Sequence, residues 1–194
     1  MYIQGEVMNV QHTDDTALVA RAAKGDAAAF ESLMELHEGR IYAIALRMCG
    51  NREDALDCAQ EAMLRIYHAL DRFKGQSSFA TWVYRITMNS CLDELRKRKV
   101  RAAASLDAML ESGWSPAAGD EGLPEAQALR GEQRDIIRAA IGSLPEDMRA
   151  VIVLRDIQGF SYEQIADMLE ANIGTIKSRI SRGREKLREI LISR

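Results

Sequence analysis

Apolar positions recur at helical spacing along most of the chain, and no alternating apolar–polar run is long enough for a useful strand. Residues 14–100 contain no proline and are rich in Ala, Leu, Met, Arg and Glu, which favour helix. Stop signals divide that span into four predicted helices. The first covers Asp15–Ala23 and is closed by Lys24-Gly25-Asp26. The second covers Ala27–Met48 and ends near Gly50-Asn51. The third covers Arg52–Leu70. The fourth begins after Gly75-Gln76-Ser77-Ser78 and runs to about Lys99. From about residue 101 to Glu125 the periodicity fades, and Ser112-Gly113, Ser115-Pro116, Gly119 and Gly122 act as breakers. A linker of roughly two dozen residues is longer than a compact domain holds as plain loop. Helix resumes from Glu125 to Ile141, and Pro145 sits just inside the start of the next one, a favoured place for it. The pattern predicts an all-α chain of two small helical domains on a flexible linker. Their bounds are a loose tail at 1–13, a first domain at 14–100, the linker at 101–125 and a second domain at 126–194. Met8 is a second candidate start codon beside Met1.

The last third carries the sharpest local signal. Ser161 opens a short helix and Gln164 completes a capping-box pattern. Tyr162, Ile165 and Leu169 give that helix a buried side. Glu170, Ala171 and Asn172 form a turn of the length a helix-turn-helix allows. In the final helix, Ile173, Ile176, Ile180 and Leu187 fall within a sector of about 60° and form the packing stripe. The far side carries Gly174, Thr175, Ser178, Ser181 and Arg182, with Lys177 and Arg179 flanking. Small and hydrogen-bonding residues near a helix N-terminus suit base edges in a major groove, and the long cations suit phosphates. Charge alone would fit an ordinary solvated helix; the capping box, the turn and the small residues together favour DNA.

Net charge is −3, so partners are not announced by global basicity, but the charge is segregated. Residues 85–101 and the final helix are basic, whereas residues 102–129 hold five acids (Asp107, Glu111, Asp120, Glu121, Glu125) and no base. Cys49, Cys58 and Cys91 form no CxxC pair and have no nearby histidine in ligand spacing, so they read as small buried residues in a reducing cytosol, with no disulfide, metal or cofactor expected. The histidines His12, His37 and His68 are scattered and no phosphate-cradling glycine loop appears, so no catalytic residue and no enzyme is expected. No apolar run spans a membrane and no signal peptide opens the chain.

The first domain has two local constellations. Asp54, Asp57 and Glu61, with Gln60 beside them, share one side of the third helix, while Ala55, Ala59, Met63 and Ile66 turn the other way. Such a strip is most often solvated surface and less often a docking site. The second is Phe73 to Arg85, where a Gly-Ser-Ser loop leads into a helix with Phe79 and Trp82 in its first turn. Aromatics interleaved with bases suit single-stranded nucleic acid, each stacked base contributing roughly 1–3 kcal/mol. The competing reading is core, and Phe79 shares a face with Val83 and Ile86.

These residues together resemble the extracytoplasmic-function sigma factors, small alternative initiation subunits of bacterial RNA polymerase in the sigma-70 family. The resemblance rests on Glu53-Asp54-Ala55 with Asp57, Gln60 and Glu61; on Phe73 and Gly75; on Ser78 to Ile86; and on Asn89, Asp93, Leu95 and Arg96. In the second half it rests on Leu144-Pro145, Arg149, Leu154-Arg155, Gly159 to Ala166 and Gly174 to Arg179. It implies that Asp54, Asp57, Gln60 and Glu61 dock on the β′ clamp helices of core polymerase. It implies that Lys74, Gln76, Ser77, Ser78, Phe79, Trp82, Arg85, Asn89 and Arg96 read and open the promoter −10 element, with an unstacked base held in a pocket. Arg149, Ser161, Tyr162, Gly174, Thr175, Lys177, Ser178, Arg179, Ser181 and Arg182 are then expected at the −35 element, and the second domain rests on the β flap. The acidic linker threads toward the RNA path, an anti-sigma factor restrains the protein, and its place is the bacterial cytoplasm, without membrane insertion. Glu170, Asn172 and Ser181 depart from the family pattern, where glycine, proline and an aromatic are frequent, so the −35 preference is left open. The alternative is a stand-alone helix-turn-helix regulator with an N-terminal sensor domain. A sensor has no reason for the Gly-Ser-Ser loop or the acid–amide strip.

Overall fold

The computed structural model describes residues 15–109 and 136–193, with side chains omitted from 102–109. No strand occurs among the described residues. The N-terminal unit is α1 (Thr16–Ala22), α2 (Ala27–Cys49), α3 (Arg52–Ala69), a 3-10 turn (Leu70–Arg72) and α4 (Phe79–Met109). The C-terminal unit is α5 (136–142), α6 (Glu146–Ile152) running into a π turn (Val153–Ile157), α7 (Tyr162–Met168) and α8 (Ile173–Ile192).

Side-chain caps set the helix starts. Asp26 Oδ1 accepts from Ala29 N at 3.1 Å, Asn51 Oδ1 accepts from Asp54 N at 3.0 Å, and Ser78 Oγ accepts from Thr81 N at 3.1 Å. At the end of α2, Gly50 takes φ 85°, a left-handed turn open to glycine at no cost. Leu33, Ile41, Ile44, Met48, Ile66 and Met88 are fully buried between α2, α3 and α4. His37 lies in that interior, its Nε2 2.8 Å from Asp15 Oδ2.

The long fourth helix departs from expectation. It passes Lys99 and continues to Met109, so the first residues of the expected linker are helical. Ala102, Ala103, Ala104, Leu106 and Ala108 are strong helix formers, and the breakers begin only at Ser112-Gly113. The remainder of the linker, the start of the fifth helix at Glu125 and the tail at 1–13 lie outside the described residues. Pro145 is the cap residue of α6 and not inside it, with ψ 142°.

The two units pack on each other. Tyr84 of α4 meets Phe160 edge-on with ring centroids 5.6 Å apart. Lys99 Nζ stands 3.0 Å from Glu146, and Arg85 stands 3.7 Å from Asp167. Arg149 of α6 donates to the Met48 carbonyl at the end of α2. The two units thus share a defined contact, in which Tyr84 is buried and desolvation raises its phenol pKa. No described helix is long and apolar enough to cross a membrane.

Candidate nucleic-acid interface

In the C-terminal unit the helix-turn-helix forms by local chemistry. Ser161 Oγ accepts from Gln164 N at 3.2 Å, and Gln164 Oε1 accepts from Ser161 N at 2.8 Å, completing the capping box. Glu170 takes φ 49°, the left-handed conformation where glycine is usual, at a cost of about 1 kcal/mol. Asn172 then caps α8, its Oδ1 accepting from Gly174 N at 2.8 Å. The turn therefore keeps its geometry despite Glu170 and Asn172. Ile176 and Ile180 are buried, Leu187 is half-buried, and Ile173 lies at the exposed edge of the stripe. Gly183 presses on α6: a Cβ there would stand 2.9 Å from Ile152 Cγ1, so the close approach requires glycine.

The opposite side of α8 is open. Gly174, Thr175, Lys177, Ser178, Ser181 and Arg182 are all exposed. Lys177 and Arg182 enter no ion pair among the described residues. Arg179 stands 3.2 Å from Asp147. Ser161 and Tyr162 are half-buried at the start of α7, and the Arg155 guanidinium lies 4.8 Å over the Tyr162 ring. Arg149 is different. Its guanidinium is buried and donates to the carbonyls of Met48, Gly142 and Leu144, the last at 2.9 Å. Burial lowers its pKa. In this conformation it ties α6 to its neighbours, its guanidinium spent on protein carbonyls.

In the N-terminal unit the Lys74–Ser78 loop is exposed at Lys74, Gln76 and Ser77, and Gly75 takes φ 68°. Ser78 is spent on the α4 cap and on Thr81 Oγ1 at 2.8 Å. Phe79 and Trp82 are buried, 6% and 7% exposed, and pack with Phe73 at centroid distances of 5.6 and 5.2 Å. Neither ring offers a free face for stacking a base; they support the loop from beneath, because two aromatics in one helical turn beside Phe73 bury more area together than apart. Arg85 and Asn89 are half-exposed and Arg96 is exposed along the same helix. Arg85 pairs with Asp167 and Arg96 with Asp93 at 3.2 Å.

On α3, Asp57, Gln60 and Glu61 are exposed together. Asp54 is not part of that free surface: both its carboxylate oxygens accept from Arg98 of α4. Arg65 bridges Glu61 and Asp93, at 2.8 Å to each. Leu56 and Leu64, 52% and 56% exposed, lie one turn either side of Gln60 and give the strip apolar ends. Reading the strip by charge missed them, although their i±4 spacing from Gln60 was a usable signal.

The fold also gathers the three cysteines. Their sulfurs lie within 4.8 Å of one another, although positions 49, 58 and 91 form no ligand motif. Cys49 Sγ–H donates to Cys58 Sγ at 3.3 Å, and that bond, with Cys91 and the nearby Arg65 and Lys97, holds the Cys58 thiol below its ordinary pKa.

Known proteins share this arrangement. Residues 33–101 match sigma-70 region 2, and residues 134–187 match sigma-70 region 4. The RNA polymerase sigma-H factor of Pseudomonas aeruginosa is 37% identical, covering 91% of this chain and 93% of that one. The ECF RNA polymerase sigma-E factor of Escherichia coli is 39% identical, covering 93% and 95%. The sigma factor RpoE of Bartonella quintana, solved in complex with the anti-sigma factor NepR, superposes with a TM-score of 0.62 at 28% identity, covering 84% of this chain and 96% of that one. Region 2 occupies the place where the alternative reading required a sensor domain. A capped helix-turn-helix with an open polar face, a region-2 bundle ahead of it and relatives matched along nearly their whole length lead to one conclusion: the chain belongs to the extracytoplasmic-function sigma factors of the sigma-70 family and is an alternative sigma factor.

Proposed function

We propose that Asp57, Gln60 and Glu61, flanked by Leu56 and Leu64, form the surface that docks on the β′ clamp helices of core RNA polymerase. The observation that carries this reading is the joint exposure of those five side chains on one face of α3. A surface mixing apolar ends with a charged and amide centre suits a helical partner better than it suits water alone. Lys74, Gln76 and Ser77 would meet the −10 element, with Arg85, Asn89 and Arg96 along the non-template strand. Phe79 and Trp82 would act through the loop they support. Gly174, Thr175, Lys177, Ser178, Ser181 and Arg182 would read the −35 duplex. The second domain would rest on the β flap, and the protein would work in the bacterial cytoplasm without chemistry of its own.

The packed arrangement suits a resting form. Arg85, a −10 candidate, is paired across the contact with Asp167 of the −35 unit. Core polymerase would separate the units and set their spacing, converting two weak sites into one bivalent reader. An anti-sigma factor, the class of partner bound to the Bartonella relative, would favour the resting form. The test is Gln60→Ala with Glu61→Ala in one chain. The double variant should keep wild-type helicity and lose co-elution with purified core enzyme; full retention of the complex would contradict the docking assignment.

A further inference from the structure

The three cysteines come from three different helices: Cys49 closes α2, Cys58 lies within α3 and Cys91 within α4. All three are free thiols, and their sulfurs lie within 4.8 Å of one another. A metal–sulfur bond of about 2.3 Å places the sulfurs of a three-thiolate site about 3.8–4.0 Å apart. The pair now at 3.3 Å needs to open by roughly half an ångström, within reach of small side-chain rotations. We propose that Cys49, Cys58 and Cys91 form a three-thiolate binding site for a soft closed-shell metal ion, with Cu(I) the ion that fits best.

Two further observations support a ligand. Cys58 and Ser90 line a cleft between α3 and α4 whose rim balances Asp57, Glu61 and Glu94 against Arg65, Lys97 and Arg101, so the otherwise buried sulfurs have an entry path. Ser90 Oγ is buried in the wall of that cleft with no hydrogen-bond partner among the described residues. Buried hydroxyls are normally paired, and this one lines the same cleft as Cys58. The ion follows from ligand type and number. Thiolates select soft ions. Zn(II) takes four ligands and would need a water besides the trio, whereas Cu(I) is satisfied by three. Among the described residues no histidine or carboxylate joins the group.

The full chain, reduced and held under anaerobic conditions, is titrated with Cu(I) against a chromophoric Cu(I) chelator, in parallel with Zn(II). We expect one Cu(I) per chain, a near-ultraviolet copper–thiolate absorption, and affinity for Cu(I) above that for Zn(II). Cys49→Ser, at the half-buried helix end, should weaken binding at least tenfold with helicity unchanged. The chain in which all three cysteines are serine should lose the site. Because the ion joins α2, α3 and α4 only in the folded chain, loading should raise the wild-type melting temperature. That readout does not depend on how the variants fold. Unchanged Cu(I) uptake by the triple variant, a lower melting temperature on loading, or tighter Zn(II) than Cu(I) binding would overturn the proposal. None of these readouts involves polymerase or promoter DNA, so the result is independent of the docking assignment.

Discussion

The two units present their working residues in opposite ways. In the C-terminal unit the polar side of α8 is open, and Gly174, Thr175, Lys177, Ser178, Ser181 and Arg182 are exposed on it. In the N-terminal unit the two most conspicuous residues of the segment proposed for the −10 element, Phe79 and Trp82, are turned inward onto Phe73. The difference is one of periodicity. A basic amphipathic helix sorts its faces by spacing alone, so polar residues opposite an Ile stripe must be outside. An aromatic beside a loop has no such constraint, and its large apolar area draws it under the loop whenever a partner ring is near.

The sharpest way to break this contrast is to truncate the rings. Trp82→Ala or Phe79→Ala should cost about 3–5 kcal/mol of stability, as for a core aromatic. Chemical denaturation measures this directly. A variant as stable as wild type but defective in promoter opening would return the rings to a base-stacking role. Arg149→Ala comes next. It leaves carbonyls of Met48, Gly142 and Leu144 without their donor and should cost about 1–3 kcal/mol. Thermal melting reads the loss, and a stability-neutral variant with weakened −35 binding would instead place Arg149 at the DNA. Gly183→Ala, forcing a Cβ toward Ile152, should cost about 1–3 kcal/mol and loosen α8 from α6.

Lys177→Ala and Arg182→Ala should leave stability within about 0.5 kcal/mol. Where the lost cation held a phosphate, the salt dependence of duplex binding by holoenzyme should flatten by about one unit. The smallest effect belongs to the start of α2. The Ala29 backbone N–H and then Arg21 hold the Asp26 carboxyl below its ordinary pKa. A carboxylate whose folded pKa is depressed contributes stability above its unfolded pKa and loses it as pH falls through the folded value. Asp26→Asn should therefore remove a small part of the acid-side stability loss, seen as a flatter melting profile below the ordinary carboxylate pKa.

The legible features were those fixed within a few residues. Lys24-Gly25-Asp26 and Gly50-Asn51 marked the breaks between helices, the Gly75–Ser78 loop the start of α4, and Ser161 with Gln164 the helix-turn-helix. Glu170 was read as a strained turn residue, and it is. Features set by distant contacts were not legible. Arg149 meets Met48 across 101 positions, and Arg98 takes Asp54 across 44. Local spacing says nothing about a partner in another helix. The cysteine trio was hidden for the same reason, being assembled by the packing of α2, α3 and α4.

Run-off transcription with purified bacterial core enzyme tests the central claim most directly, on a template library containing paired −10 and −35 elements. The account predicts defined transcripts only when the chain is added, lost when either element of a responsive promoter is scrambled. A chain that forms no complex with core enzyme and starts no RNA from any template would contradict it.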